Sequence, residues 1–586
     1  MAKKLNLCPF VIVAFFVYIA FAWQVSYQPL KYDEIWFLES AHTINRFGIP
    51  LYYWGEDTSY KYENNASSSL VSGLVHPPLY PYALTLFYNL FGSKTQTLRL
   101  FGMVFNLISV FLLYSIALSL WGKERGKRIW YIAAILYFIN PAQIYHSLNL
   151  AVDTGLYPLF INLFIAVFVS QISEKKKITI LSIILWLGLL SKYTTILFLP
   201  ITMCIFFLMK KEWKKIFSFV LPITGVGLIL WITTFSLYAL LFNQSWLFVL
   251  KFTLLSRIIE APLTLTHGLF NMVKSIAYNT LLLTPPFFLL LCMTSINRLA
   301  AIIKEKLSPF DYITLFSTLV LLAYSLKAPN FYYIYPLFIS WSLIIAHYLE
   351  PYVQFSSRKQ ICCAMLYISL LITFFGFLFD DPLLLLPRVL PLNHNTGSLL
   401  LYLIMYVMLA VLPVVAFFFT KAKKNVQWLF FIAIVGVSLG VIVQHYFADY
   451  STINIYGERG YEQTIGFMKE RVNKSEVIIA RWDIGYLIGT KFYSDDEFTT
   501  KNLCGIDNKQ TRRHTSTCGI LNVTYHLNQK EILSYDNVTY IVHSKFFREL
   551  DGGIEPELQK IIDSEYQKEA VFGDFTLFKK RQEKNS

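Results

Sequence analysis

Charge is scarce in this chain. Of 586 residues only 15% are Asp, Glu, Lys or Arg, whereas 55% are hydrophobic and the mean hydropathy is +0.48. A soluble core cannot absorb that much apolar surface, so a soluble globular protein is excluded and a polytopic membrane protein is indicated. Acidic residues are the rarer sign, 37 against 51 basic, for a formal charge of +14. The basic residues stand in short clusters between apolar runs. The positive-inside bias of membrane proteins explains that pattern, and no nucleic-acid partner is expected.

Cysteine is also sparse, at seven residues. Cys8, Cys204, Cys292, Cys362 and Cys363 lie in or beside apolar segments, where thiols act as small hydrophobes, and no zinc spacing occurs among them. Cys504 and Cys518 fall in the polar C-terminal part. Two readings stand there: a disulfide loop, if that part faces an oxidising compartment, or two free thiols. There is no Gly-rich phosphate loop, no nucleophile elbow, no internal repeat and no low-complexity segment.

What the sequence has is long apolar runs. A membrane helix needs about 20 such residues. Candidate spans lie near 8–27, 98–120, 129–149, 154–172, 178–191, 193–209, 216–242, 276–296, 308–326, 331–349, 361–379, 398–420 and 426–447, about 13 crossings in all. If each run crosses once, "MAKK", "GKERGKR", "EKKK", "KKEWKK", "RLAAIIKEK", "SRK" and "KAKKN" fall on one side, which is then cytoplasmic. From a cytoplasmic N-terminus, an odd number of crossings places the tail after 447 outside. The sequons at Asn65, Asn243, Asn473, Asn522 and Asn537 all fall on segments read as external. "AFA" at 20–22 has the form of a signal-peptidase site, but the length of the apolar run favours an uncleaved span.

Residues 1–447 thus form a transmembrane domain. Residues 448–586 read as an extracytoplasmic α/β domain, with "SEVIIAR" and "NVTYIVHS" as strands and "YEQTIGFMKERV" and "EPELQKIIDSEY" as helices.

Ionisable groups near the membrane edge carry the functional argument. "YDEIWFLESAHTINRFG" follows the first span and reads as a helix over about 33–47 lying on the outer surface. Phe37, Ala41 and Ile44 form its apolar face, with Glu34, Glu39, His42 and Arg46 at polar positions. Asp33 and Glu34 point about 100° apart and so do different jobs, unless both merely favour the helix start. A second surface helix, about 77–91, opens with "HPPLYPY" and has His76 at its mouth. Asp153 lies at the external turn between the third and fourth spans, where an acid is expensive without a partner. The 32 residues between "EKKK" and "KKEWKK" must cross an even number of times. Two short spans meet at "SKYTT" and hold Lys192 at membrane depth, where a lysine needs an anion. Lys327 stands at the external start of the tenth span, a position that also suits ordinary snorkelling.

Taken together, "YDEIWFLESAHTI", "HPPLYPYALTLFYNLFG", "INPAQIYHSLNLAVDTGLYPLF" and "LGLLSKYTTILFLP" resemble the integral-membrane glycosyltransferases that use a polyisoprenyl-phosphate sugar, the superfamily of protein O-mannosyltransferases and the aminoarabinose transferase of lipid A. The resemblance covers roughly residues 1–210 well and follows the rest loosely. It implies a GT-C-like fold, a polyisoprenyl-phosphate sugar donor entering from the membrane lipids, and a protein, lipid or glycan acceptor met outside. Asp33 matches the family's catalytic base and Glu34 the second acid of the pair. Asp153 matches the acid between the third and fourth spans, and Lys192, with Tyr193 beside it on the substrate side, matches the lysine of the span break. Aminoarabinose transferases carry Glu-Lys before the double proline where this chain has Val75-His76, so one phosphate-binding lysine of that subfamily is missing.

The chemistry suits these residues: a base for the acceptor hydroxyl, and cations, Lys192 with His76 or Lys327, for the departing phosphate. No cofactor is demanded. A divalent metal near His76 and Glu34, or near His267, is compatible with the residue types, but the spacing does not require one. The competing classes are a multi-pass transporter and a non-catalytic scaffold with an external ligand-binding domain. Carriers usually show two related halves, whereas here the acids cluster in the first third.

Overall fold

The computed structural model describes residues 7–26, 32–50, 77–92, 94–151, 154–192, 195–241, 285–302, 307–327, 334–351, 353, 368–369, 423–447, 460–494, 538–544 and 556–581. The chain divides into two compact units. The first comprises Met1–Tyr27, Phe91–Phe235 and Leu263–Ala448, the second Gln28–Leu90, Ser236–Pro262 and Asp449–Ser586.

The first unit is helical. α1 (Cys8–Ser26) is the opening apolar run; α2 (Tyr32–Phe47) and α3 (Leu79–Phe91) belong to the second unit. α4 (Thr95–Phe138) has 44 residues, more than twice what one crossing needs. It turns back on itself at Gly122, whose φ of 74° only glycine adopts without strain. Its two arms then pack together: Trp130 Nε1 donates to the Val110 carbonyl at 3.0 Å, and the rings of Tyr114 and Trp130 meet edge to face at 5.0 Å. These arms correspond to the expected spans near 98–120 and 129–149, but the second stops at Phe138. The reason is local. Pro141 cannot continue a helix and instead starts a new one, α5 (Pro141–Ser147), whose N-cap Asn140 side chain accepts from the Gln143 backbone N–H at 3.2 Å.

α6 (Leu156–Val169), α7 (Glu174–Ser191) and α8 (Phe198–Met209) follow, then α9 (Leu221–Leu241), α10 (Pro285–Ile302), α11 (Pro309–Lys327), α12 (Phe338–Leu349) and α13 (Lys423–Phe447). α4 packs against α1, α6 and α12, and α8 against α11. At the start of α11, Ser308 donates both its backbone N–H and its hydroxyl to Asp311 Oδ2, and Asp311, fully buried, also pairs with Arg298. Glu350, at the end of α12, receives Arg125 and Arg128 from the second arm of α4, at 3.3 and 2.6 Å.

Among the described residues, three helical stretches are long and apolar enough to cross a membrane: Cys8–Ser26, Thr95–Phe138 and Ile216–Tyr238. Several shorter apolar helices accompany them, including Leu156–Val169, Pro309–Ser325 and Tyr335–Leu349. Large apolar side chains lie bare on their outer faces, among them Phe16 on α1, Phe111 on α4 and Ile229 on α9. Surface of that kind suits hydrocarbon rather than water. The expected spans near 398–420 and, apart from 368–369, near 361–379 lie outside the described residues.

The second unit holds a five-stranded mixed sheet, order β2-β1-β3-β5-β4. Its strands are β1 (Val477–Ala480), β2 (Lys491–Ser494), β3 (Val538–Ser544), β4 (Tyr566–Phe572) and β5 (Phe575–Lys580). β1 runs parallel to both neighbours, whereas β3–β5 and β5–β4 are antiparallel. β1 is buried along its whole length, as a strand covered on both faces must be. Val477, Ile479, Val538, Ile541, Ile562 and Tyr566 make the core on one side. α14 (Tyr461–Arg471), α15 (Trp482–Ile488) and α16 (Pro556–Glu565) complete this unit. Arg481, wholly buried, stands over the rings of Tyr461 and Phe575 at 5.7 and 5.9 Å. Cys504 and Cys518 lie outside the described residues, as do four of the five sequons; Asn473 is described and exposed.

Candidate active site

In the first unit, three segments expected to carry site residues converge. The first is the turn from α5 to α6, which contains position 153. Thr154 Oγ1 donates to the carbonyls of Asn149 and Ala151 at 2.6 and 2.8 Å. His146 Nδ1 and Asn149 Nδ2 lie 3.2 Å apart, and the Tyr18 hydroxyl of α1 reaches Ser147 Oγ at 3.3 Å. Glycine permits the approach of this turn to α4: a Cβ on Gly102 would stand 2.4 Å from the Ser147 carbonyl oxygen.

The second segment is the break between α7 and α8. Lys192 caps α7 in extended backbone (φ −164°, ψ 132°), its N–H donating to the Gly188 carbonyl at 2.8 Å. Its side chain is buried, at 8% exposure. Just beyond, a 3₁₀ turn (Thr195–Leu197) leads into α8. Within it the Ile196 N–H donates to the Tyr157 hydroxyl at 2.8 Å, and Thr195 Oγ1 lies 3.5 Å from the Tyr324 hydroxyl.

Tyr157 opens α6 directly after the turn of Asp153, and Tyr324 sits one helical turn before Lys327, the last residue of α11. The two tyrosines therefore bind the lysine-bearing break to the Asp153 turn and to the end of α11, the third segment. Lys327 is placed at its helix end. Asp153, Tyr193 and His76 lie outside the described residues, as does His267.

The second unit carries the acid pair. Asp33 and Glu34 open α2, and α2 packs on α3. The rings of Phe37 and Tyr80 meet at 4.9 Å, Asn45 and Asn89 exchange amide hydrogen bonds at 2.9 Å, and the Tyr82 hydroxyl donates to the Gly48 carbonyl at 2.6 Å.

The solvated polar face expected for α2 needs correction. His42, Asn45 and Arg46 are exposed, but Glu34 and Glu39 are buried, at 1% and 3% exposure. The helix is enclosed through most of its length, since Ile35, Leu38, Ser40, Ala41 and Thr43 are also buried. Burial pushes the Glu39 carboxyl up to about 8, and its Oε2 meets no partner among the described residues. Glu39 is a group that sequence reading passed over as one polar position among several. Its one signal was its setting between Leu38 and Ala41, which only packing turns into burial. Among the described residues no three of His, Cys, Asp and Glu gather as a metal site would require.

Residues 75–238 match the family model of dolichyl-phosphate-mannose-protein mannosyltransferases. This segment contains α3, the α5–α6 turn and the Lys192 break. No curated protein matches the sequence. Among solved structures, the chain is similar over 98% of both lengths to ArnT from Cupriavidus metallidurans bound to undecaprenyl phosphate, with TM-score 0.61 and 12% identity. The same protein in its apo state matches with TM-score 0.58 and 13% identity, again over 98% of both chains. A family model and a whole-chain fold thus both support the resemblance to polyisoprenyl-phosphate-dependent membrane glycosyltransferases. With its bare apolar helix faces, the chain is an integral membrane protein.

Proposed function

We propose that the protein transfers a sugar from a polyisoprenyl-phosphate donor to a hydroxyl acceptor on the extracytoplasmic side of the membrane. The observation that carries this reading is Lys192. It is a buried cation at a break between two apolar helices, and its surroundings are fastened to the Asp153 turn by Tyr157 and to the end of α11 by Tyr324. A lysine held there is costly unless it serves an anion, and a lipid phosphate is the anion a membrane supplies. The similar ArnT structure holds undecaprenyl phosphate, and a donor of that class suits this chain.

In this mechanism Asp33 accepts the acceptor's hydroxyl proton. The freed oxygen attacks the anomeric carbon, the bond from that carbon to the phosphate oxygen breaks, and polyisoprenyl phosphate departs with the electron pair. Lys192, assisted by His76 or Lys327, meets the charge growing on the phosphate. Asp153 orients the donor or a basic partner, Tyr193 contributes to the donor side, and Glu34 is the second acid of the pair. One displacement without an enzyme nucleophile inverts the anomeric configuration; a product of retained configuration would refute this step. The same reading sets the N-terminus in the cytoplasm and residues 448–586 outside, because the basic clusters then all face inward.

The test is release of free lipid phosphate from a panel of polyisoprenyl-phosphate sugars by the protein in lipid, compared with Asp33→Asn. Release that depends on one sugar and vanishes in a folded Asp33→Asn variant supports the reading and identifies the donor. Equal release by the variant removes Asp33 from its role. No release from any donor, with acceptor-rich membranes supplied, overturns the transferase assignment.

A further inference from the structure

Within the first unit, the lysines of two loops meet at one end of the helices. "SEKKK" opens α7, and "KKEWKK" joins α8 to the helical turn Ile216–Val220 that leads into α9. Lys215 Nζ lies 3.6 Å from Glu174 Oε2, so the two loops touch. Lys177 Nζ donates to the Phe168 carbonyl at 2.8 Å, which adds the end of α6 to the same surface. α7 has 18 residues and rises about 27 Å, with Lys192 just past its far end. The lysine surface and the Lys192 break therefore stand at opposite ends of one helix.

Positive charge is in excess there. The two loops hold seven lysines against two carboxylates, Glu174 and Glu212. Lys210 and Lys215 each reach one of these at 3.6 Å. Lys175, Lys176, Lys211 and Lys214 are exposed and form no ion pair among the described residues. Partial burial, and after it the neighbouring Lys215, hold the Lys177 ammonium below the ordinary lysine value against the opposing pull of Glu174. Orientation in the membrane needs positive charge on one side, and lysines spread along separate loops would supply it without this crowding. Bare apolar groups stand among the lysines. Trp213 and Phe217 are exposed, their rings edge to face at 6.3 Å, and Lys214 Nζ lies 5.9 Å from the centre of the Trp213 ring. Leu208 and Met209, at the end of α8, are exposed as well. Water disfavours such apolar side chains and hydrocarbon excludes the lysines, whereas the headgroup layer of a bilayer accepts both. An acidic soluble partner would answer the lysines but leave the apolar groups without a match.

We propose that the surface formed by these two loops binds the headgroup phosphates of anionic phospholipids. The unpaired lysines of both loops supply the charge that the phosphates answer, and the bare side chains beside them meet the lipid's apolar part. A lipid held by both loops ties the ends of α6, α7 and α8 together. The attraction is between exposed charges, so salt weakens it. The proposal does not depend on the transferase reading, since none of the residues assigned to that site takes part.

The test is titration of the full chain in detergent with phosphatidylglycerol, read by native mass spectrometry, with zwitterionic phosphatidylcholine as the comparison. Wild type should hold phosphatidylglycerol about tenfold or more tightly than phosphatidylcholine, and high salt should erase the difference. Equal affinity for the two lipids would overturn the proposal. Lys176→Gln/Lys211→Gln takes one exposed charge from each loop and should weaken phosphatidylglycerol binding about 10- to 30-fold, whereas Lys176→Arg/Lys211→Arg should stay within about threefold of wild type. Lys123→Gln/Lys127→Gln removes the same charge from exposed positions at the bend of α4 and should change binding by no more than about twofold. Equal losses in the two glutamine variants would refute a site, because a diffuse positive field would then explain the binding. A loss in the arginine variant matching that of Lys176→Gln/Lys211→Gln would refute charge as its cause. Hydrogen exchange of the wild type gives an answer that needs no variant. Phosphatidylglycerol should slow the amides of 173–177 and 210–217 and leave those of 122–128 unchanged; any other pattern overturns the proposal.

Discussion

Gly102 and Gly155 meet backbone to backbone: a Cβ placed on Gly155 would stand 2.7 Å from the Gly102 Cα. This contact seats the start of α6 on the first arm of α4, and neither glycine has room for a side chain: a Cβ on Gly102 would stand 2.4 Å from the Ser147 carbonyl oxygen. Gly155 also has a φ of +64°, in the region that side-chain-bearing residues avoid. Gly155→Ala should therefore destabilise the protein by about 2–4 kcal/mol, combining left-handed strain with overpacking. Gly102→Ala should destabilise it by about 1–3 kcal/mol, because the new methyl meets the Ser147 carbonyl. Thermal melting of both variants in detergent checks the order. Two neutral results would mean that the start of α6 is not seated as described.

Lys192→Met separates a catalytic lysine from a structural one. If Lys192 serves the departing phosphate, the folded methionine variant should release lipid phosphate about 100-fold more slowly. Lys192→Arg should fall between, since the longer planar fork does not fit a site shaped for an ammonium. A methionine variant that loses stability but keeps its rate would assign Lys192 to structure.

Glu39 predicts a pH dependence whose sign follows from burial. Its carboxyl titrates at about 8 in the folded protein against 4.5 for an ordinary glutamate, so the folded state keeps its proton where the unfolded chain has lost it. This group is neutral at no cost below about 4.5, and its contribution turns against folding as pH climbs from about 4.5 to about 8, levelling above. Glu39→Gln cannot ionise. Its melting temperature should gain on wild type steadily between pH 5 and 8 and hold that gain to pH 9. A constant difference across that range would show that Glu39 titrates normally.

Arg481 anchors the C-terminal sheet through its place over Tyr461 and Phe575. Removing a desolvated cation from aromatic faces costs about 2 kcal/mol. Arg481→Met should loosen residues 460–581 first, and hydrogen exchange of the β1 and β5 amides should accelerate well before that of α4. Uniform exchange across the chain would contradict an anchoring role.

Apolar helices could be read from the sequence because hydrocarbon imposes a strict rule: a backbone that crosses it must bond internally and carry apolar side chains for about 20 residues. The break at "SKYTT" was visible for the same reason, since Lys192 interrupts what must otherwise stay apolar. Helix ends were less legible. Pro141 stands in plain sight, yet only the fold shows the second arm of α4 ending at Phe138 and α5 beginning after it. Part of the candidate site was legible as residue types at membrane edges, but not as an assembly. Tyr157 and Tyr324, which join three of its segments, carry no mark that separates them from the other tyrosines of the chain.

By itself, then, the sequence determined that the chain lives in a membrane and which charged residues stand out against the apolar background. Solvation acts on each segment separately and so is written in local composition. Tertiary structure alone decided that Glu34 and Glu39 are enclosed, that Gly102 and Gly155 meet backbone to backbone, and that the sheet runs β2-β1-β3-β5-β4. Those outcomes depend on which surfaces meet across distant parts of the chain, and a linear pattern of polar and apolar residues leaves that pairing open.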